Sequence, residues 1–140
     1  MPKFSIIIPT INEANNLPLL LSDLSIIYKE GEILIVDCGS KDRTIDIASI
    51  YGAKVYKSKE RNRGLQLDMG AKKSKGEWLI FFHADSRLTD DWFSKVKTVL
   101  NGDKKKIYYF KFKINGRKKI YRFLEILVNF RSQYFKQPYG

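Results

Sequence analysis

The chain has 140 residues, 44% of them hydrophobic, and a single cysteine, Cys38. That suffices for one folded core but not two, and it excludes both an intrinsically disordered chain and an internal disulfide framework. The net charge of +11 is uneven: residues 1–103 carry 15 Lys/Arg against 14 Asp/Glu, whereas residues 104–140 carry 11 Lys/Arg against Glu125 alone.

Met1-Pro2-Lys3 leads straight into an apolar run, without the long hydrophobic region and cleavage site of a signal peptide. No stretch approaches the roughly 20 apolar residues that span a bilayer. The expectation is a cytoplasmic protein, with the basic tail allowing peripheral attachment at the inner face of the cell membrane.

Phe4–Pro9 reads as a strand, rich in Ile. Residues 15–28 read as a helix, with Leu17, Leu20, Leu21, Leu24 and Ile27 on one stripe, Pro18 in the first turn, and Asn15 or Asn16 as the cap. Ile33–Asp37 is a second strand. A short helix then starts at Asp42 or Thr44, runs to about Tyr51 and stops at Gly52. Lys54–Lys57 is a third strand, residues 61–73 a helix, and Trp78–His83 a fourth strand. Thr89 caps a helix to Leu100, with Asp90 and Asp91 in its first turn. Ile107–Ile114 alternates apolar and basic residues like an edge strand, Asn115-Gly116 turns, and residues 117–136 form a basic helix.

Strands alternating with helices imply an α/β fold with a mostly parallel sheet, whose ligands bind beyond the carboxyl ends of the strands. We read residues 1–103 as the α/β core and 104–140 as a basic strand-helix extension. Thr10, Asp37 and Asp85, far apart in sequence, then belong to one crevice.

A nucleotide is the natural first ligand for such a crevice. The first turn, Pro9 to Asn15, has no glycine, so a diphosphate cannot sit there as it does in a dinucleotide-binding fold, and no P-loop spacing exists. Hydroxyl, amide and carboxylate groups suit a base or ribose. Asp37 can accept from either, while the competing reading has Asp37 and Ser40 merely shaping the turn. His83 and Asp85, two apart, place an imidazole and a carboxylate where they can hold a divalent cation. The competing reading is a strand-ending turn with a buried histidine. Arg63, Gln66 and Gly70 share a helix face, and an arginine there can pair with a diphosphate. The alternative is that Lys57–Arg63 is a solvated charged surface.

Three runs match a known pattern. Phe4–Glu13 (FSIIIPTINE) resembles the opening of the family-2 glycosyltransferases, Ile35–Thr44 (IVDCGSKDRT) their second signature, and Arg63–Gly76 followed by Glu77–Asp85 (EWLIFFHAD) their third. The His-Ala-Asp triplet and Ile114–Arg117 further resemble a bacterial subgroup. His83 stands where most of the family has Asp, and Asp68 where Asn is usual. The resemblance covers residues 3–100 and implies the nucleotide-diphospho-sugar transferase (GT-A) fold. It implies a nucleotide-binding set of Pro9, Thr10, Asn12, Glu13, Asp37, Ser40, Arg63, Gln66 and Asp85. It also implies Mg²⁺ or Mn²⁺ held by Asp85 with His83.

The implied reaction moves a sugar from a nucleotide-diphospho-sugar donor to the hydroxyl of a saccharide or lipid-linked acceptor, with inversion. The family's catalytic base lies in a later acidic motif, so we expect a C-terminally truncated chain whose base falls after Gly140. The alternatives are a catalytically incomplete nucleotide-sugar-binding module, or a basic protein that docks on a membrane surface or nucleic acid. In the tail, Ile120, Phe123, Leu124, Leu127 and Val128 form an apolar stripe among Arg117, Lys118, Lys119, Arg122, Arg131 and Lys136. It suits an anionic membrane surface, or packing on the sheet or on further sequence. Tyr108, Tyr109, Phe110 and Phe112 among lysines could stack bases, but nucleic acid is disfavoured because the transferase motifs already account for the rest. Apolar surface left by truncation is expected to favour a homo-oligomer.

Overall fold

The structure is a computed structural model and describes residues 1–27, 29–103, 106–111, 113–114, 116 and 118–135. Tyr28, Phe112, Asn115, Arg117 and Lys136, invoked above, lie outside the described residues. The chain divides into two compact units, Met1–Gly102 and Asp103–Gly140.

In the first unit β1 (Phe4–Thr10), β2 (Gly31–Asp37), β3 (Lys54–Lys57) and β4 (Trp78–Phe81) form one sheet in the order β3-β2-β1-β4. Every pairing is parallel, with Thr10 opposite Asp37, Asp37 opposite Lys57, and Ile7 opposite Phe81. Parallel neighbours need crossovers, and α1 (Leu17–Asp23), α2 (Thr44–Ile50) and α3 (Arg63–Lys73) supply them. α4 (Trp92–Leu100) follows β4. All four strands therefore deliver their following loops to one edge.

β1 and β2 are buried on both faces, which is why their sequences are continuous apolar runs rather than alternating ones. Ile6, Ile8, Ile33 and Ile35 share a core with Leu17, Leu20, Leu21 and Leu24, Ala48 of α2, and Trp92, Phe93 and Val96 of α4. Ile7, Leu34 and Val36 point the other way, against Leu67, Met69 and Ala71 of α3. Gly70 lets α3 lie this close, because a Cβ there would overlap the Ile7 side chain.

Pro9 sits in a central strand, normally a poor place for a residue without an N–H. Thr10 O accepts from Cys38 N at 3.0 Å and Ile7 O from Phe82 N at 3.1 Å, so odd residues of β1 turn their backbone groups towards β4. The β1–β4 pairing ends at Ile7–Phe81. The missing donor of Pro9 thus falls past the last pair and costs no ladder bond.

Several elements differ from the sequence expectation. α1 stops at Asp23 and a 3-10 turn, Ser25–Ile27, completes the segment. Asn16 makes no side-chain cap; its amide donates to Glu13 Oε2 at 2.9 Å instead. α4 begins at Trp92, so Asp90 and Asp91 precede the helix, and Asp91 pairs with Lys95 at 2.6 Å. β4 ends at Phe81, which places His83 in the loop rather than on the strand.

In the second unit, the described part of 107–114 is not a strand, and α5 (Lys119–Phe135) is the one regular element among the described residues. α5 buries Glu125 and Ser132 and leaves Ile120, Phe123, Leu124, Ile126, Leu127 and Phe130 at 41–65% exposure. Glu125 accepts from Ile114 N at 2.7 Å and from Arg122 Nη1 at 2.8 and 3.0 Å. Among the described residues no helix is long and apolar enough to cross a membrane.

Candidate active site

The carboxyl edge of β1 and β2 is organised by Asp37, which is fully buried. Its carboxylate accepts from Thr10 Oγ1 at 2.9 Å, from Ser40 N at 2.9 Å and from Ser40 Oγ. Removing a carboxylate from water is costly unless hydrogen bonds replace the lost hydration, and here three do. Gln66, buried on the first turns of α3, donates through Nε2 to Thr10 O at 3.1 Å and Val36 O at 2.7 Å, bracketing both strands where they end.

The loops after β1 and β2 are then fastened to each other. Asn12 N donates to Ser40 Oγ at 2.8 Å, and Lys41 N donates to Asn12 Oδ1 at 2.8 Å. Glu13 N donates to Thr44 Oγ1 at 2.8 Å and Ala14 N to Asp42 Oδ2 at 3.0 Å. Asn12 has φ 54°, in the left-handed region that asparagine tolerates better than most residues. Gly39, at φ 75°, makes the sharp turn between Asp37 and Ser40. The two loops form one braced rim.

Of the residues expected at the site, Thr10, Asn12, Glu13, Asp37, Ser40 and Gln66 are therefore drawn into one hydrogen-bonded assembly. Asp37 and Ser40 do shape the turn, as the competing reading had it. Pro9 lies half-buried at the strand end. Arg63 is the first residue of α3 and exposed, whereas Gln66 and Gly70 on the same helix are buried. A cleft of about 410 Å³ beside the β3–α3 loop is lined by Lys57, Lys59, Leu65, Asp68 and Lys72, among others, but by neither His83 nor Asp85.

His83 is half-buried and Asp85 exposed, in the loop after β4. Among the described residues no group of three or more His, Cys, Asp or Glu side chains could hold a metal ion. The same loop is held at both ends. Upstream, Phe82 N donates to Ile7 O, and Ser86 N donates to His83 O at 3.0 Å. Downstream, Asp23 Oδ2 accepts from Arg87 Nε at 2.9 Å and Leu88 N at 3.1 Å, and Asp23 Oδ1 from Arg87 Nη2 at 3.2 Å. Trp92 Nε1 donates to the Asp23 carbonyl at 3.2 Å.

Asp23, Arg87 and the bracing role of Asp42 escape a sequence reading. Asp42 had a visible signal, since an Asp two residues before Thr44 suits a local side-chain turn, and its Oδ1 does accept from Thr44 N at 3.0 Å. That bond set, led by the Thr44 hydroxyl, holds the Asp42 carboxyl below its ordinary pKa. Asp23 and Arg87 are 64 residues apart and carry no local signal.

The sequence matches the glycosyl transferase family 2 model over residues 5–139. The chain belongs to this family. The family-2 chain is 36% identical over 94 residues to a PGL/p-HBAD biosynthesis glycosyltransferase of Mycobacterium tuberculosis, covering 62% of this chain and 37% of that one. It is 37% identical over 96 residues to 4,4'-diaponeurosporenoate glycosyltransferase of Staphylococcus haemolyticus, covering 64% and 26%. The family-2 chain thus spans only about a third of the length of such relatives. Its fold is similar to that of Staphylococcus aureus TarS, with TM-score 0.65 and 25% identity over 71% of this chain and 32% of that one. It is also similar to glucosyl-3-phosphoglycerate synthase of Mycobacterium tuberculosis, crystallised with Mn²⁺ and uridine diphosphate, with TM-score 0.59 and 19% identity over 73% and 41%. The parallel sheet flanked by helices is the GT-A fold.

Proposed function

We propose that this chain carries the donor side of a sugar transferase, binding a nucleotide-diphospho-sugar at the carboxyl edge of β1, β2 and β4. The observation that carries the reading is the braced rim of Thr10, Asn12, Asp37 and Ser40 beside the β4 loop with His83 and Asp85. Rigid, pre-formed polar groups bind at less entropic cost than mobile ones. In this reading Pro9, Thr10, Asn12, Glu13, Asp37, Ser40 and Gln66 form the floor and rim for base and ribose. Arg63 reaches the diphosphate with its planar fork of donors.

A half-buried imidazole and an exposed carboxylate are nitrogen and oxygen donors, which fit Mn²⁺ or Mg²⁺ and not a soft, thiophilic ion. Because no group of three or more His, Cys, Asp or Glu side chains among the described residues could hold a metal ion, His83 and Asp85 would hold it only together with ligands from elsewhere, such as the donor itself. A divalent ion bound there supplies positive charge against the charge that develops on the departing nucleoside diphosphate. Inverting transfer also needs a carboxylate to take the acceptor's proton. Glu125 does not serve: the Ile114 N–H, then Arg122, hold its carboxyl below the ordinary range and occupy its oxygens.

For the acceptor side, the outward apolar face of α5 within a strongly cationic segment supports docking on an anionic membrane surface, which suits a lipid-linked acceptor.

Calorimetric titration with UDP, GDP and dTDP, with and without Mn²⁺, tests the donor reading. The expected result is binding of one nucleotide that strengthens with Mn²⁺ and loses that gain in Asp85→Ala. Metal-independent binding, unchanged in Asp85→Ala, removes the metal assignment. Absence of binding to all three removes the donor site.

A further inference from the structure

The loop His83–Asp85 is an arc between two posts. The first is the sheet itself, through Phe82 N on Ile7 O. The second is Asp23, the last residue of α1, which engages Arg87, Leu88 and Trp92 through four hydrogen bonds from both its carboxylate and its carbonyl. The packing around the arc is tight. Phe82 and Trp92 meet edge-on with ring centroids 6.1 Å apart, and Ala84 is 3% exposed. Asp85 is two residues from Arg87, so the second post anchors the backbone close to it.

We infer that Asp23 is a positioning residue for Asp85, acting through the fork it makes with Arg87 and the Leu88 N–H. The inference rests on the donor-site reading above and adds a residue to which neither the family match nor the motifs assign a role. A carboxylate that must meet a cation and a diphosphate at one point gains nothing from a loose loop. Interactions behind a metal ligand set its orientation, and their loss typically lowers metal affinity by about 10–100-fold. The Asp23 carboxylate is set back from solvent at 18% exposure, whereas Arg87 is 52% exposed. Substituting Arg87 therefore tests the fork with little burden on the core.

The decisive quantity is the ratio of UDP affinity with Mn²⁺ to UDP affinity without it. A loosened fold weakens both affinities alike and leaves the ratio unchanged, whereas a misplaced Asp85 lowers the ratio. The ratio is measured by calorimetry on the full chain, well below the thermal midpoint, for wild type, Asp85→Ala, Asp23→Ala, Asp23→Asn and Arg87→Ala. The expectation is a ratio near one in Asp85→Ala and one about tenfold below wild type in Asp23→Ala and Arg87→Ala. Asp23→Asn, which keeps an acceptor for Leu88 N but loses the ion pair, should fall between. Wild-type ratios in Asp23→Asn and Arg87→Ala overturn the inference and leave the donor site standing. A wild-type ratio of one overturns the donor-metal reading, and this inference with it.

Discussion

α1 and α5 are both rich in large apolar residues and do opposite things with them. α1 is seven residues long and fully buries Leu17, Leu20 and Leu21 against β1 and β2. α5 is seventeen residues long, turns Glu125 and Ser132 inward and leaves six large apolar side chains at 41–65% exposure. Periodicity says which side chains need cover, not whether cover exists. Isolated helices gain most of their stability from burial of an apolar face. α1 has that burial within its own unit, while six large apolar side chains of α5 stay exposed.

The largest expected effect sharpens this contrast directly. Leu21→Ala or Ile6→Ala should cost about 2–5 kcal/mol, because each empties a site in a core with 0% exposure. Phe123→Ala, at 60% exposure, should stay within about 0.5 kcal/mol. Urea unfolding of the three variants decides between them. A Phe123→Ala cost equal to that of Leu21→Ala would break the contrast, since it would mean that the apolar face of α5 is covered in solution.

The same contrast explains what could be read from the sequence. β1 and β2 are legible because central parallel strands leave long uninterrupted Ile, Val and Leu runs, whereas β3, the short edge strand Lys54–Lys57, is marked mainly by the helix stop at Gly52 before it. β4 reads two residues too long because Phe82 continues the apolar run; its N–H still bonds Ile7 O, but the pairing ends at Ile7–Phe81 and its ring is buried edge-on against Trp92. Ile107–Ile114 shows the reverse error. Its alternation is that of an edge strand, but a strand requires a partner, and none pairs with it among the described residues. At the site, Thr10, Asp37 and Ser40 were legible from strand ends and turn chemistry. Their use as one network was not, because it depends on register, Thr10 opposite Asp37, which no single segment encodes. Asp23 and Arg87 meet only through the packing of α1 beside the β4 loop.

Acid should weaken both edges of the sheet, through Glu32 at the opposite edge and through Asp23 beside the β4 loop. Glu32 accepts from Ser5 Oγ at 2.6 Å, Lys75 N at 2.6 Å and Lys54 Nζ at 2.7 Å. Burial pushes its pKa up, but Lys54, Ser5 and the Lys75 N–H together outweigh that and leave it below the ordinary glutamate value. Asp23 is lowered in the same way, burial being outweighed by Arg87 and the Leu88 N–H. A carboxyl depressed in the folded state stabilises the fold above its unfolded pKa, and that stability is lost as pH falls through the folded value. Stability should therefore be level near neutrality and decline from about pH 4.5 downward, the unfolded range of Glu and Asp. Glu32→Gln should lower stability at pH 7 and flatten the decline, as read from urea midpoints between pH 7 and pH 3. An unchanged acid slope in Glu32→Gln would show that the network around Ser5 and Lys75 does not depend on charge.

The smallest effect on stability is expected where the second unit meets its proposed partner. Phe123→Ser with Leu127→Ser should leave the urea midpoint nearly unchanged, because both side chains are already about half exposed or more, at 60% and 47%. The pair should nevertheless weaken sedimentation with phosphatidylglycerol vesicles, since membrane binding scales with the apolar area that enters the interface. Lys113→Ala with Lys118→Ala should weaken it as well, by roughly 1 kcal/mol per charge at low salt, and added salt should erase that difference but not the Phe123 one. The two pairs thus separate apolar insertion from charge attraction on the same helix-bearing segment. Equal binding of wild type to neutral phosphatidylcholine vesicles would remove charge from the account. Binding to neither vesicle would mean that the apolar face of α5 is covered by protein, and α5 would then resemble α1 in what it needs, differing only in where its cover comes from.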